Sequence, residues 1–159
     1  QLMALPDGPG PSRLLMQLTW LAGAIGFWQG FGGWQNGDIE AATNAITLWV
    51  VGVVGVLSFL RHAVFHRSDA RRMGWDYGAR NDFQLEVGFA NLAWGLSGLI
   101  GWVQGWSLQA QGAVILIFGI YMAQAAGLHI SESGRSTSKL ITCIFAVCLL
   151  LFGSLALLQ

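Results

Sequence analysis

Two histidines and one glutamate are the residues of this chain best suited to chemistry. His62 lies at the end of one apolar run, Glu86 at the start of the next, and His129 at the end of the one after that. Imidazole and carboxylate groups form the ligand sets of many zinc and non-haem iron sites. Histidine also exchanges protons near neutral pH. The sequence therefore predicts a metal site or a proton-transfer site, if the fold brings the three side chains together.

Glu86 is the one acidic residue that falls inside an apolar run. A carboxylate within a membrane span is energetically costly, so it marks a functional site by default. The alternative is a structural role, in which the carboxyl group is shared with Arg61 or with a histidine and holds helices together. Both interpretations remain open from the sequence.

Three amide side chains could extend this polar cluster. Gln84 lies just before Glu86 in the chain, and Asn91 lies five residues after it. Gln124 lies five residues before His129. Because five residues advance about 7.5 Å along an α-helix, Asn91 and Gln124 predict a second, deeper polar layer.

Five apolar runs must position these side chains. Of 159 residues, 54% are hydrophobic and only 10% are charged, whereas soluble domains carry about 25% charged residues. A membrane-spanning helix needs about 20 apolar residues. Runs of about that length lie at 14–33, 42–60, 83–106, 110–130 and 140–158. We therefore expect an all-α integral membrane bundle of five transmembrane helices in a single domain, residues 1–159. The alternative is four spans and an N-terminal interfacial helix.

The basic residues predict an orientation for this bundle. All eight lie before the first run, between the second and third, or between the fourth and fifth: Arg13, Arg61, Arg67, Arg71, Arg72, Arg80, Arg135 and Lys139. These segments share one side of a five-span topology, and the positive-inside rule makes that side cytoplasmic. The sequence predicts a multi-pass inner (plasma) membrane protein with a cytoplasmic N-terminus and an external C-terminus.

Small residues predict how the helices pack. The first run contains a GxxxG pair, Gly26 and Gly30. The third run carries one stripe of Gly88, Asn91, Gly95 and Gly98, and a second of Glu86, Ala90, Ala93 and Ser97. Such faces let helices approach closely. We expect the third run to form the central helix, the fifth to be peripheral, and the chain to form a homo-oligomer or part of a larger membrane complex.

The segment between the second and third runs is polar. Ser68 is predicted to cap a short helix that ends near Met73, with Trp75 and Tyr77 at the level of the lipid headgroups. The mixture of arginine and aspartate there is typical of an interfacial segment held by anionic lipid.

Composition and motifs exclude several other functions. The formal net charge is zero, so binding to nucleic acid has no electrostatic basis and the lipid bilayer is the expected partner. The chain has no phosphate-binding loop, nucleophile elbow or Cys-x-x-Cys pair, which favours a protein that is not an enzyme. Eight Trp and nine Phe residues could hold a quinone or pigment, although interfacial belts are the commoner use.

One block of the sequence resembles a known family. The block is Phe83-Gln84-Leu85-Glu86-Val87-Gly88-Phe89-Ala90-Asn91-Leu92, with Gly127-Leu128-His129-Ile130 later in the chain. It is similar to a family of small bacterial multi-span membrane proteins of unknown function, over about residues 58–131. The resemblance implies that Gln84, Glu86, Asn91 and His129 belong to one shared feature. It implies no reaction.

Three functions are consistent with these patterns. The first is a non-catalytic subunit or scaffold of a membrane assembly. The alternative is a small transporter or proton-coupled carrier, with Glu86 as the titrating group and the two histidines as relay partners. The second alternative is a metal- or redox-cofactor-binding membrane component, with His62, Glu86 and His129 as metal ligands.

Overall fold

The computed structural model of the chain describes residues 8–75, 81–131 and 137–159. Over those ranges the chain forms six helices and no strand. They are α1 (Gly10–Gln35), α2 (Ile39–Val64), α3 (His66–Met73), α4 (Asp82–Val103), α5 (Leu108–Ser131) and α6 (Thr137–Leu157). The five long helices lie at the five predicted apolar runs, with boundaries that agree to within about one or two turns. The expected all-α fold is therefore confirmed.

Three of these helices are long and apolar enough to cross a membrane, namely α2, α5 and α6. That criterion uses length and composition alone. Helices α1 and α4 are similar in length, but glycine, tryptophan and polar side chains make them less apolar. In α1 the polar residues include Arg13 and Gln29, and in α4 they include Asp82, Glu86 and Asn91.

Local sequence signals place the helix starts. Gly37 adopts φ +74°, a left-handed conformation that suits glycine, and forms the turn between α1 and α2. The Asp38 carboxylate then accepts a hydrogen bond from the Ala41 backbone N–H at 2.8 Å, as an N-cap residue does. Asn81 caps α4 in the same way by accepting from the Gln84 N–H.

Helix α2 is not uniform. Its α-helical segments, Ile39–Ala45 and Val54–Phe59, alternate with π-helical segments, Ile46–Val53 and Leu60–Val64. A π-helical turn holds more residues than an α-helical turn, so each segment changes the direction in which later side chains point. His62 falls in the second π-helical segment.

Helix α2 is the centre of the bundle. It packs on α1, α4, α5 and α6, and Ile46, Val50 and Val51 are fully buried. The contact with α1 is formed at the predicted GxxxG pair, because a Cβ built on Gly26 would lie 2.6 Å from Val50 Cγ2. The prediction that residues 83–106 form the central helix is therefore wrong.

Helix α4 packs on α2 through its glycines. A Cβ built on Gly55 would lie 2.6 Å from the Gly95 Cα atom, so the two backbones are in direct contact. The second small stripe of α4 is not covered in the same way, since Glu86 and Ala93 are exposed. One face of α4 is therefore packed and the opposite face is open.

Helix α6 contributes one face to the core and leaves the other open. Phe145, Leu149 and Phe152 are buried, and α6 packs along α5, where a Cβ on Gly153 would lie 2.6 Å from the Leu116 backbone nitrogen. The fifth helix is peripheral in part, since Ile144 and Val147 are exposed on its outer face.

We expect Gly95→Ala to lower the free energy of unfolding by about 1–3 kcal/mol, the usual range for overpacking. The added methyl group would lie 2.7 Å from the Val56 backbone nitrogen, so α2 and α4 would have to separate. The matched control is Gly127→Ala, because that site has no neighbouring atom within 4 Å. Denaturant unfolding in detergent measures both, and equal stability of the two variants would contradict the close contact.

Candidate functional site

A buried carboxylate joins four helices at one end of the bundle. Asp69 lies on α3 and its side chain is 0% exposed. The start of α1, the end of α2 and the start of α4 surround it through Ser12, His62 and Gln84. We call this group, together with Arg61, Ser68 and Arg72, the Asp69 network.

Both carboxylate oxygens of Asp69 accept hydrogen bonds. Oδ1 accepts from the Ser12 hydroxyl at 2.6 Å and from Arg72 Nη2 at 3.0 Å. Oδ2 accepts from His62 Nδ1 at 2.9 Å and from Gln84 Nε2 at 3.3 Å. The carboxylate is therefore held by donors from every element that meets it.

The hydrogen bonds of His62 define its protonation. Its Nε2 lies 2.8 Å from Arg61 Nη2, and a guanidinium group can only donate. Nε2 must therefore accept, and the ring proton lies on Nδ1, which donates to Asp69. The imidazole is neutral in this arrangement, and both of its nitrogens are occupied.

Ser68 connects the network to the residues before α1. Its hydroxyl accepts from the Ser12 backbone N–H at 3.1 Å and donates to the Gly8 carbonyl oxygen at 2.6 Å. Ser68 is thus not the predicted helix cap, since α3 begins at His66 after Phe65. The predicted end of α3 at Met73 is correct, whereas Tyr77 lies outside the described residues.

Charge and hydrogen bonding determine the ionisation of Asp69. Burial alone would raise the pKa of this carboxyl group, but the hydrogen bond from His62, the nearby positive charge of Arg61 and the hydrogen bond from Ser12 outweigh it. The pKa of Asp69 is held well below its usual range. The network therefore contains an ionised carboxylate between two arginines, with Arg61 Nε 3.9 Å from Oδ1.

The structure brings together two of the six predicted site residues. His62 and Gln84 both bond to Asp69, and Gln84 also donates to the His66 carbonyl oxygen at 3.1 Å. Glu86 is exposed on α4 and is not part of this network. The pairing of Glu86 with Arg61 is also not formed, because Arg61 contacts His62 and Asp69.

The other predicted residues lie elsewhere. Asn91 is buried, donates to the Val87 carbonyl oxygen at 2.8 Å and faces the Tyr121 side chain of α5. Gln124 is exposed and His129 is half-buried near the end of α5. Asn91 therefore joins α4 to α5 and is not part of a shared polar layer with Gln124.

The predicted metal ligands are not assembled. In the part of the chain that the structure describes, no three His, Cys, Asp or Glu side chains form a group that could hold a metal ion. His62 is bonded to Asp69, whereas Glu86 faces outward from a different helix. The three residues are near one end of the bundle by chain order, but chain order does not fix the direction of their side chains.

Sequence reasoning missed Asp69 as the centre of the site. One local signal was present, because Asp69 and Arg72 are three residues apart and share a helix face. The contact with Ser12 had no such signal, since 57 residues separate the pair. Asp69 was grouped with an interfacial polar segment, which is the usual position of such residues.

The arrangement is suited to holding helices together. Ser12 bonds to the carboxylate and to Arg72 rather than to the imidazole, so Ser12, His62 and Asp69 do not have the order of a nucleophilic triad, in which histidine lies between the other two. Donors of Ser12, His62, Arg72 and Gln84 are directed at Asp69, whereas the buried Arg61 Nε has no hydrogen-bond partner among the described residues. The chemical capacity of the network is charge neutralisation and cross-linking of four helices.

These features define a small helical bundle with an internal charged network at one end. The chain belongs to a family of unknown function (DUF6790), which it matches over residues 14–137. The expectation that the chain belongs to a family of unknown function is thus confirmed. No curated protein and no solved structure matches the chain.

We expect Asp69→Asn to lower the free energy of unfolding at pH 7 by about 3–5 kcal/mol, as when one partner of a buried ion pair is removed. The amide would leave the half-buried Arg61 and Arg72 side chains, 16% and 17% exposed, without a negative charge beside them. The matched control is Glu40→Gln, which changes an exposed carboxylate. Chemical unfolding of the purified protein measures the difference.

The same comparison has a pH dependence. The pKa of Asp69 is lower in the folded than in the unfolded state. The ionised carboxylate therefore contributes fully to the free energy of unfolding above the unfolded pKa of 3.8. This contribution is lost as the pH falls below that value. The stability gap between the wild type and Asp69→Asn should therefore narrow below about pH 4. A gap that stays constant to pH 2 would contradict an ionised Asp69.

Proposed function

We propose that this chain is a five-span integral membrane protein that acts as a non-catalytic subunit or scaffold of a membrane assembly. Large apolar side chains exposed on four of the five long helices support the membrane location. Examples, one from each helix except α2, are Trp28, Phe83, Leu128 and Val147; α2 is apolar along its length and lies at the centre. Soluble proteins rarely expose apolar surface so extensively.

Helices α1 and α4 support a count of five spans rather than three. Each packs lengthwise on α2, which is itself apolar enough to cross a membrane. Each also exposes large apolar side chains along its outer face, such as Leu21 on α1 and Ile100 on α4. Their polar and glycine residues are explained by packing inside the bundle, because Gly26 and Gly95 contact α2.

The distribution of charge supports the orientation. The Asp69 network and the exposed Arg13 and Arg67 are at the end where α1 begins and α2 ends. The opposite end has Asp38 and Glu40 and no basic residue in either connection. By the positive-inside rule the arginine-rich end faces the cytoplasm of a cell whose inner (plasma) membrane holds the chain. Arg80 and Arg135 lie outside the described residues.

One observation carries the non-catalytic role: the only buried carboxylate among the described residues is committed to the fold. Asp69 is 0% exposed and accepts from Ser12, His62, Arg72 and Gln84. A proton carrier needs a titrating group that communicates with both sides of the membrane. The relay proposed from the sequence loses support because His62 is bonded to Asp69 and Glu86 is not within the network.

Cysteine labelling tests the topology. In a background with Cys143→Ala and Cys148→Ala, we expect Ser107→Cys, between α4 and α5, to react with a membrane-impermeant maleimide added to intact cells. Arg67→Cys, on α3, should react only after the membrane is opened. Both positions are exposed, so access rather than burial decides the result. The reverse pattern, or extraction of the chain by alkaline carbonate, would contradict the proposal.

Reconstitution tests the role itself. We expect the purified wild-type chain to migrate as an assembly larger than a monomer, and vesicles that contain it to leak protons no faster than vesicles with Glu86→Gln. The physical reason is that the Glu86 carboxylate has no hydrogen-bond donor beside it among the described residues. Flux that depends on Glu86 would instead favour a proton-coupled carrier, measured with a pH-sensitive dye inside the vesicles.

A further inference from the structure

The outer face of α4 carries a carboxylate among apolar and small side chains. Positions at spacings of four, three and four residues share this face: Glu86, Ala90, Ala93 and Ser97. Glu86 and Ala93 are exposed, whereas Gly88 and Gly95, on the other side of the helix, contact α2. No helix among the described residues covers this face.

The carboxylate of Glu86 has no bonding partner within the described residues. Its neighbours along α4 include Phe83 and Phe89, which are 80% and 57% exposed. In the proposed membrane location, an ionised carboxylate beside such side chains is costly unless a cation or a hydrogen-bond donor pairs with it. An occupant of this face that places a cation or a hydrogen-bond donor at the depth of Glu86 would compensate this cost.

The outer face of α1 has the complementary charge. A stripe at spacings of four, four, three and four residues is exposed along it: Arg13, Gln17, Leu21, Ala24 and Trp28. The Arg13 side chain makes no hydrogen bond or ion pair with another described residue. The stripe thus has a cation and an amide at one end and larger apolar groups further along.

The Asp69 network sets the relative heights of these two faces. Ser12 of α1 and Gln84 of α4 both bond to the Asp69 carboxylate, at 2.6 and 3.3 Å, so they lie at nearly the same level. Both helices run away from that level in the same direction. Arg13 is one residue beyond Ser12 on α1, an advance of about 1.5 Å along the helix, and Glu86 is two residues beyond Gln84 on α4, an advance of about 3 Å. A guanidinium group on its flexible stem easily spans that difference.

The apolar parts of the two faces also correspond in height. Gln17 is five residues beyond Ser12, and Ala90 is six beyond Gln84. Leu21 and Ala93 are each nine residues beyond the same reference residues. A large side chain on α1 therefore meets a small one on α4, which lets parallel helices approach closely.

A contact between copies must join unlike faces. A symmetric contact of α4 with α4 would bring two Glu86 carboxylates together, and one of α1 with α1 would bring together two Arg13 side chains. Helices α1 and α4 pack on different faces of α2, since α1 contacts Ile46 and Val50 and α4 contacts Gly52 and Gly55. One copy therefore presents both surfaces to different neighbours.

We propose that the chain self-associates head to tail in the membrane, with α4 of one copy packed on α1 of the next and Glu86 paired with Arg13 across the contact. Such a heterologous contact closes into a ring or continues as a row. This inference rests on the proposed membrane location and names the partner of the proposed assembly as a second copy of this chain.

Charge exchange tests the pair. Subunits of the full chain are counted by single-molecule photobleaching in vesicles of bacterial lipid. We expect Glu86→Arg and Arg13→Glu each to shift the population towards monomers, and the double variant to restore the wild-type distribution. Glu40→Arg and Arg67→Glu are the matched controls, because both positions are exposed outside the two faces, and they should leave the distribution unchanged. Single reversals that keep the wild-type distribution would overturn the inference.

Disulfide trapping covers the case in which a charge reversal fails to fold. In the Cys143→Ala, Cys148→Ala background, chains with Gln17→Cys are mixed with chains with Ala90→Cys in the same vesicles and oxidised. We expect cross-linked dimers in the mixture and none with either variant alone. Cross-linking of Ala90→Cys with itself would indicate a symmetric α4 contact and would overturn the head-to-tail arrangement.

Different results would contradict the membrane location and the Glu86–Arg13 contact. A chain that does not sediment with membranes contradicts the membrane location itself. A chain that sediments with membranes and forms an assembly, but shows neither charge rescue nor the mixed cross-link, contradicts only the Glu86–Arg13 contact. Its assembly would then use another surface or another protein.

Discussion

The structure depends on an ionised carboxylate that is completely removed from solvent. Placing a charge inside a protein is unfavourable unless donors and opposite charges replace the lost water. Asp69 obtains these from α1, α2, its own helix and α4, through Ser12, His62, Arg72 and Gln84. Because no single helix can supply all of them, the carboxylate is stable only when four helix ends meet. Its requirement for partners thus becomes a constraint on tertiary structure.

A second constraint acts along the length of the helices. Glycines at the contacts of α1 with α2 and of α2 with α4 bring the backbones close together, as Gly26, Gly55 and Gly95 illustrate. These contacts define the separation of the helices. The Asp69 network holds one end of α1, α2 and α4 at a defined height. Glycine packing therefore determines how far apart the helices lie, and the charged network determines their relative heights.

The network also explains which polar groups remain for other roles. His62 and Gln84 are bonded to Asp69, and Asn91 is bonded to the Val87 carbonyl group. Glu86 is left on an outer face, where an internal relay or metal site has no other ligands. A carboxylate at such a position is better suited to an intermolecular contact than to chemistry inside the bundle. This reasoning links the internal network to the proposed assembly.

The sequence by itself determined the helices and much of their local chemistry. Long apolar runs require helices of known length, Gly37 and Asp38 mark a turn and a cap, and Gly26 and Gly30 mark a close contact. These features depend on residues within a few turns of one another, so spacing reveals them. Tertiary structure alone decided that α2 is central and that Asp69 bonds to Ser12, 57 residues away. It also separated the side chains of His62 and Glu86. The π-helical turns of α2 and the packing of α4 determine the directions of these side chains, and the periodicity of a single segment does not predict them.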